Sequence, residues 1–445
     1  MLNVKNSQEE FQFLHQFHSR KTSRKNGLHL AIMTELVQLF KIDLEDFTFI
    51  QIAGSCGKGS TAEMISSVLN AHHTPHGLYT GPHLIQYEER FKISGSVISR
   101  KELLQTVRHI STELAGYPRE SNVGHAHIMF LIALLFFKQN QIRLVIFENG
   151  VGGWSDPSNI FNPAMSILTE IALDHTHLLG NSIEEITKDK MRIIKEKTEY
   201  VVCGTRNERA KAILQEAEKN SQTRYSFIDS DYQTRILSAS AKGSTFDYEG
   251  AALQLKAVHL PVPGKHQVQN AATALALVEC LISAGYAIET EKIKLAFETL
   301  HVPCRMETIM SGKKTFLLDA AHNGHELHTL QHHIRTLDLN INQMLLSFSS
   351  NKNIQYMIES LHPDKETELL IVPNPFSERQ ISLEEVETHL KRAGLTYKCF
   401  PDIESGLQSI QDAQTPGTVL VTGSMYLTGY VKNALKQGGN ACSTP

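Results

Sequence analysis

Apolar and polar positions along the chain alternate between short runs of strand length and longer stretches with helical spacing. Asp46–Ala53 (DFTFIQIA) is a β-type run that meets a glycine-rich turn, and a helical pattern starts near Gly59. Leu144–Phe147, Met165–Leu168 and Tyr200–Cys203 are further strand-length runs, each following a helical stretch. Strands alternating with helices predict a parallel sheet covered on both faces. A long helix is predicted over Gln267–Ala284, after the turn Pro261–Gly264. The pattern restarts near residue 300, where Phe316–Asp319, Met344–Phe348, Leu369–Val372 and Thr418–Val421 read as strands separated by helices such as Leu383–Arg392.

The predicted fold class is therefore α/β, a parallel-sheet domain followed by a smaller Rossmann-like C-terminal α/β domain. The boundary is placed at His301–Pro303, where a proline ends the preceding helix, which divides the chain into 1–300, 301–437 and a flexible polar tail, 438–445. A length of 445 residues already asks for two cores. The longest apolar stretch, Ile128–Phe137, falls well short of the ~20 residues that span a bilayer, so it reads as a buried helix.

Composition narrows the function classes. Charged residues make up 20% and the net charge is −4, so no general field draws the chain to nucleic acid or an anionic membrane. Any phosphate site must then be local. The N-terminus lacks the basic-then-apolar pattern of a signal peptide, and six scattered cysteines without a CxxC pair argue against disulfides or zinc. Both point to the reducing cytoplasm, and the chain is expected to act there as a monomer on small molecules.

The strongest local signal is Gly54-Ser55-Cys56-Gly57-Lys58-Gly59-Ser60-Thr61, between a predicted strand and helix. Glycines let backbone N–H groups turn toward an anion, the helix N-terminus adds positive dipole, and Lys58 adds a full charge. Ser60 or Thr61 is placed to reach a magnesium ion. Only two residues separate Gly54 from Gly57, so this is not the standard Walker spacing. The bland alternative is a glycine turn with a surface lysine; the strand–turn–helix context favours a P-loop nucleotide site.

Later segments in order resemble the folylpolyglutamate/dihydrofolate synthases of the Mur ligase superfamily. The phosphate loop is followed by Gly77-Leu78-Tyr79-Thr80-Gly81-Pro82-His83-Leu84 and Glu89-Arg90, then by Glu148-Asn149-Gly150-Val151-Gly152-Gly153 with Asp156 and Asn159. Leu173-Asp174-His175-Thr176, Gly264-Lys265-His266-Gln267 with Asn270, Arg305-Met306-Glu307, Asp319-Ala320-Ala321-His322-Asn323 and Val421-Thr422-Gly423-Ser424 continue the match over nearly the whole chain. The resemblance implies an ATP-dependent amide ligase that adds L-glutamate to dihydropteroate or a reduced folate through an acyl phosphate. The alternative is a paralogue joining another acid and amine. A third reading, a non-catalytic nucleotide binder, fits poorly with retention of both halves of the nucleotide site.

By the same resemblance, Lys58 and the loop amides would hold the phosphates. Ser60, Glu148, His175 and Lys190 would serve one or two Mg²⁺ ions, Lys190 as a carbamylated lysine. Asn270, Arg305, Asp319 and His322 would contact the nucleotide, placing ATP in a cleft between the domains. Each has a plainer alternative: Glu148 as a helix cap, His175 as a core histidine, Arg305 and His322 as interface residues, and Lys190 as a solvated lysine in the charge-dense Glu184–Lys197 segment.

Several motif positions depart from the family. Gly81 stands where a serine is usual, Gln86 and Glu88 replace an arginine and an asparagine, and Trp154 replaces an arginine. Glu170 precedes the LDHT segment, Lys190 is followed by Met191-Arg192, and Gly324 follows Asn323. The expectation is an intact nucleotide site beside an altered acceptor side. Glu88 and Gln86 are expected to make that side more negative and to disfavour a long polyanionic tail.

Overall fold

The computed structural model describes residues 12–17, 20, 24–376, 380–413 and 415–438. Most of the predicted tail, residues 439–445, lies outside the described residues; Gly438 ends the last helix, Met425–Gly438. The chain divides into two compact units, as an α/β fold with sheets of eight, six and three strands. The first holds residues 1–237, 245–259 and 267–300, the second 238–244, 260–266 and 301–445. The division is therefore not a single cut: two short pieces ahead of residue 300 group with the C-terminal unit.

The large sheet has eight strands in the order β4-β3-β2-β5-β1-β6-β7-β8. They are β1 (Thr48–Ala53), β2 (His76–Tyr79), β3 (Phe91–Ile93), β4 (Ser96–Val97), β5 (Leu144–Glu148), β6 (Met165–Leu168), β7 (Tyr200–Cys203) and β8 (Arg224–Phe227). The central strands pair parallel, and β3 and β4 add an antiparallel edge. β1 lies between β5 and β6, with Ile52 beside Glu148 and Ala53 beside Leu168. Strand order reverses at β1, so the carboxyl ends of three adjacent strands open onto one crevice, where open α/β sheets bind ligands.

The helix Lys58–Ala71 leaves β1 directly, one residue earlier than the pattern predicts, because Gly57 takes a left-handed φ of 86° and turns the chain into it. Its far side packs on the helix Thr290–Glu298, where Ser67 Oγ donates to the Ala296 carbonyl at 2.8 Å. The helix His125–Gln139 is buried from His127 to Phe137, as the apolar run Ile128–Phe137 demands. Phe130 packs edge-on to Phe147, and Phe49 stacks on Phe161 at 4.2 Å. Burying each such ring contributes roughly 1.5–3 kcal/mol, so a charged residue at Phe130 would break this layer. Among the described residues no helix is long and apolar enough to cross a membrane.

A three-stranded sheet, β11-β10-β9, is formed by β9 (Gln233–Ser240), β10 (Gly243–Glu249) and β11 (Gln254–Leu260). The apolar pattern did not predict it, because β9 is exposed along almost its whole length.

The second unit carries a six-stranded sheet in the order β12-β13-β17-β14-β15-β16. These are β12 (Glu307–Ser311), β13 (Lys314–Leu318), β14 (Gln343–Leu346), β15 (Glu368–Ile371), β16 (Tyr397–Cys399) and β17 (Gly417–Thr422). β12 is antiparallel to β13 and the others run parallel. Asp319 falls just beyond β13 rather than within it, which frees its side chain for the turn that follows.

Candidate active site

The loop Gly54–Gly57 is shaped by what lies under it. A Cβ on Gly54 would meet Thr169 Oγ1 at 1.9 Å, and one on Gly57 would meet Asn270 Oδ1 at 2.2 Å. Thr169 Oγ1 donates to the Cys56 carbonyl at 2.7 Å, and the Ser55 amide donates to the Glu170 carbonyl at 2.8 Å. Ser55 Oγ donates to the Ala172 carbonyl and accepts from the Ala172 amide. Ser55 was expected to face phosphate; its hydroxyl and amide instead latch the loop to the segment after β6. Asn270 lies against the loop, its Nδ2 donating to Gln267 Oε1 at 3.1 Å.

The helix that follows has no side-chain cap and no acid in its first turn, so its N-terminal dipole is uncompensated. Lys58 Nζ donates to the Gly54 carbonyl at 3.1 Å, and Lys190 Nζ donates to the same oxygen at 2.7 Å. Two lysine amines therefore converge on one carbonyl. Lys190 is 3% exposed, contrary to the solvated alternative. Burial, reinforced by Lys58, pushes its pKa down to about 7.

Glu148, at the end of β5, is buried and accepts from the Gly81 amide at 3.0 Å. Its carboxylate lies 3.3 Å from where a Cβ on Gly59 would stand, so the absent side chain leaves room beside Ser60. Ser60 and Thr61 are both buried in the first turn. Hard oxygen donors in such a cradle fit Mg²⁺, which takes one or two carboxylates plus phosphate oxygens and water. His175 holds a left-handed φ of 50°, with Nε2 3.6 Å from Asp174 Oδ2. Among the described residues no three His, Cys, Asp or Glu side chains converge as a metal cluster.

Two acids fasten the glycine-rich stretch after Glu148: Asp156, which belongs to the matched motif but was given no role, and Asp189, which sequence reasoning passed over. Asp156, buried, accepts from the amides of Gly150 (3.0 Å) and Val151 (3.1 Å), and burial raises its pKa. Asp189 accepts from the Gly153 amide at 2.7 Å and from Ser155 Oγ at 2.8 Å. The only signal for Asp189 was its place beside Lys190.

The loop Gly81–Arg90 corrects one expectation. Glu88 is buried and paired with Arg100 Nη1 at 2.8 Å, so its charge is neutralised rather than offered to an acceptor. Glu89 accepts from the amides of Leu84, Ile85 and Gln86, and Arg90 Nε donates to His83 Nδ1 at 2.8 Å. Glu170 is likewise occupied, by Thr205 Oγ1, the Arg206 amide and Gln269.

In the second unit, Asp319 accepts from the amides of Met306 and Ala321, both at 3.0 Å. Burial pushes its pKa up to about 6 against the opposing pull of Arg305. His322 Nδ1 lies 3.1 Å from Glu326 Oε2, which also accepts from the His322 amide. Burial disfavours the ionised Glu326, but His322 and Arg305 outweigh it and hold the carboxyl well below its ordinary range. Arg305 lies between two residues of left-handed φ, Cys304 (53°) and Met306 (50°), a backbone strain that gathers at functional sites.

Residues 52–278 match the family model described as the Mur ligase middle domain. A folylpolyglutamate synthase of Lacticaseibacillus casei is 27% identical over 425 residues, covering 95% of this chain and 97% of that protein. A dihydrofolate synthase/folylpolyglutamate synthase of Buchnera aphidicola (subsp. Schizaphis graminum) is 28% identical, covering 91% and 92%. The folylpolyglutamate synthase structure of Mycobacterium tuberculosis complexed with ADP shares the fold, with a TM-score of 0.84 at 21% identity over 96% of this chain and 98% of that one.

Proposed function

Because the chain belongs to the Mur ligase family, whose middle domain spans residues 52–278, we propose that it is an ATP-dependent ligase joining L-glutamate to dihydropteroate or a reduced folate. The observation that carries the proposal is the convergence of Lys58 and Lys190 on the Gly54 carbonyl, beside an uncapped helix N-terminus and the Glu148 carboxylate. Such a site is built for the multiply charged phosphates of ATP.

In the first step an oxygen of the substrate carboxylate attacks the γ-phosphorus and ADP leaves, which gives an acyl phosphate. The glutamate amine then attacks the acyl carbon, phosphate departs, and the nitrogen sheds its proton to form the amide. Phosphoryl transfer asks for alignment and charge neutralisation, and Lys58 with the loop amides supplies both. Mg²⁺, when bound, screens the phosphates from the incoming carboxylate; Ser60, Glu148 and His175 are the residues to hold it. The neutral fraction of Lys190 at pH 7 is the form that adds CO₂, and the resulting carbamate is our candidate ligand for a second ion. Asn270, Arg305, Asp319 and His322 are assigned to nucleotide contact. The scattered free thiols suit a reducing cytoplasm, and the chain is taken as a monomer.

Gly81, without a hydroxyl beside Glu148, and Trp154 favour a second reading in which the same chemistry serves another acid and amine. Incubation with ATP, Mg²⁺, glutamate and each pterin acid, read by mass spectrometry, decides between them. A glutamyl amide of a pterin acid is expected. If no pterin yields one while another acid–amine pair does, the second reading replaces the first.

A further inference from the structure

We propose that a groove on the outer face of the segment carrying Lys190 is a second binding site, for a planar aromatic anion. The groove encloses about 590 Å³ and is walled by Trp154, Tyr225, Lys188, Arg192, Met191 and Ile194. That volume lies within the roughly 300–1,000 Å³ of small-molecule pockets. It is separate from the phosphate loop by helical geometry. Lys190 points inward to Gly54, whereas Lys188, two positions earlier on the helix Ile183–Lys190, is exposed and turned roughly 200° around the axis.

The chemistry of the walls selects the ligand. Trp154, the sole tryptophan, is 43% exposed, and the Arg192 guanidinium sits 5.8 Å from its ring centroid. The backbone that carries the ring is anchored, since the Trp154 amide donates to the Asp189 carbonyl at 3.0 Å and its own carbonyl lies 2.9 Å from His29 Nε2. Lys188 and Arg192 form no ion pair among the described residues. The one acid at the groove, Asp189, spends both carboxylate oxygens on Gly153 and Ser155. Two cations without acid partners thus flank two aromatic faces over an apolar floor. A bicyclic aromatic carboxylate would stack on Trp154 and Tyr225 and set its acid group on Arg192 and Lys188.

A lone tryptophan makes the test specific. The protein labelled with 5-fluorotryptophan gives one ¹⁹F resonance, from Trp154, to be followed while 2-naphthoate or its neutral isostere 2-naphthamide is added. A saturable shift with 2-naphthoate is expected, with affinity at least tenfold weaker for 2-naphthamide and for the double variant Lys188→Gln/Arg192→Gln. Saturating Mg²⁺–ATP should leave the shift in place. Both substituted side chains are exposed, and the single Arg192→Gln variant, expected to lose at least threefold, serves if the double one melts early. An absent shift, equal binding of 2-naphthamide, or full binding by the charge-free variants overturns the site. Loss of the shift with Mg²⁺–ATP also overturns it, by moving the probe to the nucleotide site. None of these outcomes depends on turnover, so the ligase reading stands or falls separately.

Discussion

The phosphate loop after β1 and the Asp319–Asn323 turn after β13 are the same local device, a strand with a parallel neighbour running into a helix, finished in opposite ways. After β1 the cap is Gly57, no side chain satisfies the helix N-terminus, and two lysines point into the turn. After β13 the cap is Asn323, whose Oδ1 accepts from the Glu326 amide, and acids take two further amides of the turn. Asp319 takes the Met306 and Ala321 amides, and Glu326 takes that of His322. One turn is an anion receptacle and the other is already filled with its own anions. On the proposed reading a triphosphate would take the first. The second suits neutral donors such as sugar hydroxyls, which its carboxylates can accept.

The largest effect expected from this difference is at Lys58. Lys58→Ala should keep its melting temperature and lose turnover by on the order of 10³-fold, because the transferred phosphoryl group loses a full charge. A folded variant turning over near the wild-type rate would break the comparison at its root.

Next comes Lys190, whose depressed pKa marks it as more than a counter-charge. Lys190→Ala should cost on the order of 10²-fold in turnover, comparable to removing one preorganised electrostatic group. The neutral amine grows as pH rises through about 7, so wild-type activity should rise over the same window and be restored by bicarbonate in CO₂-depleted buffer. Indifference to both pH and bicarbonate would leave Lys190 a structural cation.

How far these regions were legible in the sequence follows the same physics. Met165–Leu168 and Tyr200–Cys203 form strands with the bounds their apolar runs suggest, because buried parallel strands read as continuous hydrophobic stretches. β9 (QTRILSAS) escaped because an exposed strand carries no apolar face to detect. The phosphate loop was readable since a glycine-rich turn between a strand-length run and a helical pattern is a local signal, although the contacts that exclude a Cβ at Gly54 and Gly57 come from the remote Thr169 and Asn270. Thr169 and Asp189 were not readable, because their partners Cys56 and Gly153 are remote in sequence and only the sheet order brings them together. Lys190 and Glu88 sit in charge-rich stretches where composition predicts solvation; tertiary packing buries both.

Asp319 tests the self-filled turn and should give a middling effect. Asp319→Asn should weaken ATP binding about tenfold, a loss of about 1.4 kcal/mol, while tripolyphosphate, which lacks the nucleoside, binds as before. Nucleotide should also slow amide exchange at Asp319–Asn323 in the wild type. The sign of the pH effect is fixed: a carboxyl raised to about 6 from 3.8 stabilises the fold fully below 3.8, and that contribution is lost as pH rises through 6. The slope is at most about 1.4 kcal/mol per pH unit and should vanish in Asp319→Asn. Equal losses for ATP and tripolyphosphate would show that this turn handles phosphate after all.

The smallest effect is expected in the loop Gly81–Arg90, where both kinds of finish meet. A bare Glu88 would repel the polyanionic tail of a lengthening substrate. It is instead paired with Arg100, on a helix that is itself capped by Ser99 and Glu102. The Arg100 side chain is about half exposed, so water weakens the pair and any field it leaves at the acceptor side. Rates should therefore fall only gently, about two- to threefold for each added glutamate, because Gln86 has removed a cation without Glu88 adding a free anion. Arg100→Ala would strip the partner from a buried carboxylate whose Oε2 already has no hydrogen-bond partner among the described residues. That should cost about 1–3 kcal/mol of stability and steepen the dependence on tail length. Arg100→Lys, which restores the charge without the planar fork, should recover most of the tail dependence and part of the stability. Mass-spectrometric rates with one, two and three glutamates on the acceptor, set beside melting curves for the three proteins, check it. If Arg100→Ala loses stability but leaves the tail dependence untouched, Glu88 is a structural acid and the acceptor's charge preference is set elsewhere in the loop.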